Sequence, residues 1–254
     1  MLQMRTYPFA ILLLFSLSSV AQQPKLLHYD RNWRGTTPKN AAFLVEQKKN
    51  NDTCWELNYY AAKGPRFLSV QFKDAGGKIM HGDYVAYTGE GYIDSSGEYA
   101  NGKRNGNWYV MASNHRTLYK LEYRDGELIS TKDSTQLKEE REKLIDSIRN
   151  GKTEIVEVES EFPGGSKGWI QYLTRNLRYP KEAIDDRVQG VVHVQFIVNK
   201  DGRVEDVKLY RSAGYYIDVE AMRLIRDSPL WTPAVQDGRK VRSYKRQPIT
   251  FKTG

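Results

Sequence analysis

The sequence predicts two folded parts of different class: an all-β meander of repeated hairpins, followed by a small α+β domain. Short aromatic and β-branched runs, separated by Gly, Asn and Asp, fill the chain up to residue 130. After residue 153, helical and strand periodicities alternate instead. We therefore divide the chain into a signal peptide, a β-hairpin repeat module, a charged helical linker and a C-terminal domain, at residues 1–21, 22–130, 131–153 and 154–254.

The composition favours an ordinary folded protein surface over a nucleic-acid-binding one. The formal charge is +8, but Lys and Arg alternate with Asp and Glu, and no long basic block occurs. We therefore expect no nucleic-acid partner. Cys54 is the only cysteine, so no internal disulfide and no cysteine zinc cluster is expected. Its neighbour Trp55 suggests that Cys54 is a buried, apolar residue.

The N-terminus has the pattern of a secretory signal. Arg5 precedes an apolar run at Phe9–Leu17, and Ala21 ends a small-residue cleavage motif before Gln22. We expect cleavage at that point and export to the periplasm. The alternative is an uncleaved inner-membrane anchor, but the run is shorter than the roughly 20 residues that span a bilayer.

Two pairs of motifs recur at a spacing of 24 residues. Gly82-Asp83-Tyr84 returns as Gly106-Asn107-Trp108, and Glu98–Gly102 returns as Glu122–Gly126. A period of this length indicates stacked supersecondary units. Each unit is predicted to be a hairpin, because Asn-Gly and Asp-Gly favour tight turns with positive φ.

The repeat motif Tyr99-x-x-Gly102-Lys103-x-x-Gly106-x-Trp108 resembles the degenerate MORN-type repeats of secreted Bacteroidetes proteins. The resemblance covers residues 70–130. It implies a MORN-like stack of hairpins that could mediate protein interaction, and a meander with no ligand at all is the alternative.

The linker at residues 131–153 is predicted to be a helix. Asp133 or Ser134 can cap it, and dense charge suits a solvated spacer. Its apolar positions lie roughly on one stripe: Leu137, Leu144, Ile145 and Ile148.

The C-terminal domain reads as helix, strand, strand, helix, strand. This order predicts a three-stranded antiparallel sheet with helices on one face. Asp218 is expected to cap the second long helix, with Val219, Met222 and Ile225 facing inward. The predicted segments are a helix at 166–177, a short turn of helix at Ala183-Ile184, strands at 192–198 and 204–209 joined by an Asn199–Gly202 turn, and a last strand at 241–251.

Pro248 lies within the last strand. Proline has no N–H, so it fits only an edge strand or a bulge. An open edge is a template for the strand of a partner.

This region closely resembles the C-terminal domain of TonB, the energy transducer for outer-membrane transporters, in its Bacteroidetes form. The resemblance runs over residues 155–253. The motifs that carry it are Phe162-Pro163-Gly164-Gly165, Tyr179-Pro180-x-x-Ala183, Gln189-Gly190-x-Val192-x-Val194-x-Phe196, Asp201-Gly202-Arg203-Val204, Asp218-x-x-Ala221, Trp231-x-Pro233-Ala234 and Pro248-Ile249-x-Phe251.

The resemblance implies that the domain captures a peptide by β-strand addition. The partner would be the TonB-box segment of a TonB-dependent outer-membrane transporter, bound along the final strand. The resemblance assigns eight residues to this site: Leu177, Arg178, Tyr179 and Pro180, with Val241, Arg242, Ser243 and Tyr244 as the docking edge. Five basic residues near the edge either favour an acidic partner or block aggregation: Arg239, Lys240, Arg242, Lys245 and Arg246.

The sequence also departs from the full TonB pattern. It has no convincing uncleaved anchor, and its nine prolines form no long spacer. Contact with inner-membrane motor proteins, and coupling to proton-motive force, therefore stay open. A second hypothesis is a non-enzymatic envelope scaffold whose repeats recognise the partner. A strand-swapped homodimer is a further use of an open edge.

No arrangement of residues predicts catalysis. The four histidines, His28, His81, His115 and His193, are far apart in sequence and form no i, i+4 pair, so no metal site is predicted. We expect no cofactor and no enzymatic activity.

Overall fold

The computed structural model describes residues 23–50, 54–149 and 158–252. The predicted signal peptide and the last residues of the predicted linker lie outside these ranges. Cys54 is buried, as predicted.

The N-terminal part is one nine-stranded antiparallel sheet whose strands pair in sequence order. A 3-10 turn at Pro38–Asn40 lies between its first two strands. The strands are β1 (Lys25–Tyr29), β2 (Phe43–Lys49), β3 (Trp55–Ala61), β4 (Arg66–Phe72), β5 (Met80–Tyr87), β6 (Ile93–Ala100), β7 (Lys103–Met111), β8 (Thr117–Arg124) and β9 (Glu127–Asp133).

The C-terminal part combines helices with two small sheets. One sheet has the order β11-β10-β14, and β12 and β13 form a separate hairpin. The long meander followed by a helix-and-sheet region confirms the predicted classes of the two parts. The elements are α1 (Ser134–Arg149), α2 (Gly165–Asn176), α3 (Lys181–Asp185), β10 (Gly190–Val198), β11 (Val204–Arg211), α4 (Tyr215–Arg226), β12 (Ala234–Gln236), β13 (Arg239–Val241) and β14 (Ser243–Phe251).

The repeat motifs build the hairpins of the meander. Asn101 and Gly102 have φ of 52° and 82°, and they turn β6 into β7. Asp125 and Gly126 have φ of 51° and 90°, and they turn β8 into β9. These positive angles are those of the predicted tight turns.

Trp108 is the centre of the repeat packing. Its ring contacts those of Tyr84, Tyr99 and Tyr123 at centroid distances of 5.1 to 6.2 Å. It also lies directly over Gly97, where an added Cβ would come within 2.2 Å of the indole. Glycine is therefore required at this position because the ring occupies the space of a side chain.

Hydrogen bonds at the start of α1 identify the residue that caps this helix. The Asp133 carboxylate accepts the backbone N–H groups of Thr135 and Gln136, and the Gln136 side chain accepts the Asp133 N–H. This reciprocal capping box makes Asp133 the cap. Leu144, one of the predicted apolar positions of this helix, is 61% exposed.

Asp218 does not begin α4 as predicted. The helix starts at Tyr215, and Gly214 occupies the capping position. Asp218 is buried one turn inside, where its carboxylate accepts the N–H groups of Ala213 and Gly214. The Asp218 carboxylate therefore pairs with backbone N–H groups at the start of the helix from a position one turn inside it.

The predicted inner face of α4 is partly right. Met222 and Ile225 are buried, but Val219 is 36% exposed, so its inward assignment was wrong.

The last predicted strand is divided in two. Asp237 and Gly238 both have positive φ and form a tight turn, so β12 and β13 close into their own hairpin. Val241 consequently pairs with Ala234, and Arg242 lies between β13 and β14.

The meander packs against the β11 side of the C-terminal sheet. The Ser212 N–H donates to the Gly91 carbonyl at 2.9 Å, and Tyr92 forms an isolated antiparallel bridge with Arg211. Gly91 has φ of +82°, and an added Cβ would lie 2.0 Å from the Ser212 oxygen. Only glycine permits this approach of the two backbones.

A buried polar network joins the two parts beside this contact. The Arg66 backbone N–H donates to the Ser212 hydroxyl at 2.7 Å, and that hydroxyl donates to the Asp218 carboxylate. The Arg66 guanidinium donates to the Tyr60 hydroxyl. Because unpaired buried polar groups are costly, this network favours one docked arrangement.

Replacing Gly97 by Ala tests the packing of the Trp108 ring against Gly97. The new methyl group overlaps the indole, so we expect a loss of about 1–3 kcal/mol in the free energy of unfolding. Gly89→Ala is the matched control, because a Cβ there has no neighbour within 4 Å. We expect that control to change stability by less than about 0.5 kcal/mol. Equal effects of the two variants in urea unfolding would contradict the packing.

The network also predicts a pH dependence of stability. Burial raises the pKa of Asp218 to about 6, although hydrogen bonds from Ser212 and Ala213 oppose the rise. Because the folded pKa exceeds the ordinary value, the folded state binds the proton more tightly. The free energy of unfolding should therefore fall as pH rises from about 4 to about 6, by about 3 kcal/mol.

Asp218→Asn removes this titration. The difference between the unfolding profiles of the native protein and the variant should therefore change across that interval. Parallel profiles from pH 4 to pH 6.5 would contradict the assignment to Asp218.

Candidate partner-binding edge

β14 forms the open edge of the C-terminal sheet. It pairs with β10 in continuous register from Ser243 opposite Val198 to Phe251 opposite Gly190. Within the described ranges, no other strand pairs with it. Pro248 lies on this edge strand, as proline requires. The opposite edge, β11, lies against the meander.

Side chains alternate between the two faces of β14. Ile249 and Phe251 point into the core and are buried. Tyr244, Arg246 and Pro248 point to the other face and are exposed. Among the large hydrophobic side chains of the described residues, Tyr244 is the most exposed, at 72%. The edge therefore presents an aromatic ring beside unpaired backbone.

The first part of β14 borders a shallow depression of about 260 Å³. One wall is the segment before α2, where the Ser160 hydroxyl bonds to the Ser243 hydroxyl at 2.9 Å and Glu159 pairs with Lys245 at 2.9 Å. These contacts use side chains. In the described chain, this segment makes its backbone bridges with Val235 and Thr232, and none with β14.

The Leu177–Pro180 segment lies at the other end of β14. The Arg178 N–H donates to the Glu220 carboxylate at 2.8 Å, which ties the segment to α4. The Tyr179 ring contacts Phe251 edge-on at 5.7 Å, and its hydroxyl donates to the Val188 carbonyl. Leu177 ends α2 and Pro180 precedes α3, so the segment is extended between two helices.

The eight residues assigned from the resemblance therefore form two patches and not one pocket. Ser243 and Tyr244 begin β14, whereas Tyr179 contacts its last residue. A nine-residue strand separates such ends by about 26 Å. Val241 is engaged in the β12–β13 hairpin, and Arg242 pairs with Glu205 at 3.0 Å. One extended segment along β14 would reach both patches.

The basic residues of the edge differ in their environment. Arg242 and Lys245 are paired with carboxylates, which reduces their free charge. Arg246 instead lies over the Tyr210 ring, 3.2 Å from its centroid. Sequence reasoning did not distinguish these cases, because their partners come from distant parts of the chain.

A cavity of about 480 Å³ lies between the meander and β10–β11. Its charged groups largely satisfy one another: Lys48 pairs with Glu56 at 2.9 Å, and Lys208 approaches Asp83 at 3.6 Å. Burial tends to raise the pKa of Glu56, but the opposing charge of Lys48 prevails and holds it at about 2. This cavity therefore resembles a polar interface between two docked surfaces.

Among the described residues, no cluster of three or more His, Cys, Asp or Glu side chains could hold a metal ion. No helix in the same ranges combines the length and apolar character of a membrane span.

Comparison with known families identifies one region. Residues 175–253 match the family model described as Gram-negative bacterial TonB protein C-terminal. No curated protein and no solved structure matches the chain. The matched region begins in α2 and contains β10, β11, α4 and β14, together with all eight residues assigned above. This part of the chain is therefore similar to the C-terminal part of TonB, which supports a TonB-like role in envelope transport.

Proposed function

We propose that β14 binds an extended segment of an outer-membrane transporter by β-strand addition, within energy transduction for envelope transport. The observation that carries this proposal is the one-sided pairing of β14 inside a region similar to TonB. Leu177, Arg178, Tyr179 and Pro180 contact one end of the segment. Val241, Arg242, Ser243 and Tyr244 flank the other.

The position of Pro248 suggests which part of β14 makes main-chain hydrogen bonds to the partner. Proline on an edge strand turns its nitrogen away from the ladder, and alternate residues of a strand point to the same side. The N–H groups of Tyr244 and Arg246 then face the open side as well. Pro248 offers no donor, so the main-chain contacts concentrate in the first half of β14.

Most of the proposed contacts go to the main chain of the partner, so they require little of its amino-acid sequence. Each backbone hydrogen bond contributes about 0.5–1.5 kcal/mol net. The exposed Tyr244 ring supplies apolar contact for one side chain of the partner. Several such bonds with one aromatic contact give a reversible complex, which suits repeated engagement of transporters.

A peptide from the periplasmic end of a transporter tests this proposal. We expect it to bind the exported chain, residues 22–254, and to lose about two- to tenfold in affinity for each N-methyl group placed on its β14-facing amides. N-methylation of the intervening amides is the control and should have little effect. Equal loss at both sets of positions in calorimetric titrations would contradict strand addition.

A double variant separates this proposal from the scaffold hypothesis. Tyr244→Pro with Arg246→Pro removes the two donors proposed to face the partner while leaving the ladder with β10 in place. We expect it to abolish detectable capture of the transporter. Undiminished capture by a folded double variant would favour recognition by the meander instead.

Export, signal cleavage and a strand-swapped homodimer stay predictions. The periplasmic location belongs to the proposal, because transporter segments are accessible there. Start-site sequencing of envelope-purified protein distinguishes cleavage after Ala21 from retention of the N-terminal segment.

A further inference from the structure

The cavity between the meander and the C-terminal sheet has a polar floor on the meander. We call this space the interface cavity. The middle of its floor is a row of residues that lie opposite one another on β4, β5, β6 and β7: Ser69, Val85, Ser96 and Tyr109. Opposed residues of neighbouring strands point to the same face of a sheet, so their side chains form one continuous row. The C-terminal part supplies the opposite wall, which includes Lys208, Tyr210 and Met222.

The hydroxyl groups of this row are free. Among the described residues, no hydrogen bond forms to the side-chain oxygen of Ser69, Ser96 or Tyr109. The three side chains are only partly buried, so they are open to the space of the cavity. A hydroxyl group can donate and accept a hydrogen bond. The row therefore offers three donor–acceptor groups to a molecule in the cavity.

The charged residues beside this row pair with one another. Lys48 pairs with Glu56 at 2.9 Å, and Lys208 approaches Asp83 at 3.6 Å. An ionic ligand would compete with these pairs and would lose its own hydration on entry. The interface cavity therefore favours an uncharged ligand.

Arg66 adds a fixed donor to the wall of the cavity. It is 5% exposed, and two of its N–H groups donate to the Tyr60 hydroxyl. A guanidinium has five N–H groups, so donors remain for an oxygen atom in the cavity. The carboxylates of Glu56 and Asp218 lie within the field of the Arg66 charge and offset it. Arg66 can therefore bond to a neutral oxygen without requiring an anion.

Apolar side chains alternate with the polar ones. Val85 lies between Ser69 and Ser96 in the row. Three apolar side chains of β11 and α4 line the same space: Val207, Leu209 and Met222. Water alone would leave these surfaces without apolar contact. A pyranose ring has C–H faces and hydroxyl edges, so it is complementary to both kinds of surface.

A sugar is also more complementary to this cavity than a peptide is. The floor is the face of a sheet, where the backbone groups of β4 to β7 already pair with neighbouring strands. A peptide main chain would find only side chains to bond to, whereas sugar hydroxyls match the free hydroxyls of the row. The volume of about 480 Å³ lies within the range of about 300–1,000 Å³ that is typical of small-molecule sites.

We propose that the interface cavity binds a neutral sugar of one or two rings, whose hydroxyl groups bond to Ser69, Ser96 and Tyr109. The sugar contacts the meander and β11 together, so it stabilises their docking. The site lies on the β11 side of the sheet, away from the open edge of β14. It does not depend on strand addition, and either conclusion can fail without the other.

Saturation-transfer NMR with the exported chain tests the class of ligand. The probes are glucose, galactose and N-acetylglucosamine, with the disaccharides maltose, lactose and chitobiose. We expect saturable transfer to the ring protons of at least one probe, with a dissociation constant of about 0.1–10 mM. No saturable transfer with any probe at about 50 mM would overturn the proposal and leave a cavity that holds water only. Glucuronate, the charged analogue of glucose, should bind more weakly than glucose, and tighter binding would overturn the assignment to a neutral ligand.

Two matched pairs of variants locate the bound sugar. Ser96→Ala removes a hydroxyl of the row, and Ser95→Ala removes one from the opposite face of the same strand. Tyr109→Phe is matched by Tyr119→Phe, because Tyr119 does not line the cavity. We expect Ser96→Ala and Tyr109→Phe each to weaken binding about two- to tenfold, and the two controls to leave it unchanged. Equal effects within each pair would place the sugar elsewhere and overturn the proposal.

Urea unfolding separates contact with the sugar from a structural role. The Ser96 and Tyr109 hydroxyls have no partner among the described residues, so both variants should unfold at the native midpoint when no sugar is present. Added sugar should raise the midpoint of the native protein and raise it less in these two variants. A lower midpoint without sugar, together with unchanged sugar binding, would assign the hydroxyls a structural role and contradict the proposal.

Discussion

The architecture depends on a buried contact between two parts of the chain that are distant in sequence. At this contact, the Arg66 backbone and the Asp218 carboxylate both bond to the Ser212 hydroxyl, and Gly91 approaches the Ser212 backbone. Buried polar groups of this kind are stable only with their partners in place. The contact therefore docks the meander on the β11 side of the C-terminal sheet. One consequence is that the opposite strand, β14, is the edge left for a partner.

The docked arrangement gives the two parts of the chain separate surfaces. The meander covers the β11 side of the sheet, where its Tyr92 and His115 contact Arg211 and Tyr210. A partner segment on β14 would lie along the opposite edge. The strand-addition hypothesis and the rival idea of recognition by the repeats therefore concern different surfaces of the molecule.

The features that follow from local sequence were the ones that sequence analysis predicted well. The Asn101-Gly102 turn, the β10 strand and the edge position of Pro248 each depend on neighbouring residues. Most of the errors come from contacts between residues that are distant in sequence, and one comes from a local turn. Asp218 reads as a cap, but it is buried because Ser212 and the meander enclose it. Val241 was placed in the last strand because the Asp237-Gly238 turn was overlooked. The pairing of Arg242 and Lys245, unlike Arg246, depends on acidic residues about 37 and 86 positions away.

Amide hydrogen exchange of the free protein tests the central claim, that docking covers β11 and leaves β14 open. Exchange rates report the free energy of opening for each amide. Slow exchange is predicted for Ser212, whose N–H is bonded to Gly91, and fast exchange for Tyr244 and Arg246 on the open side of β14. Equally slow exchange at all three amides would show that β14 is already covered, and fast exchange at Ser212 would show that the two parts are not docked.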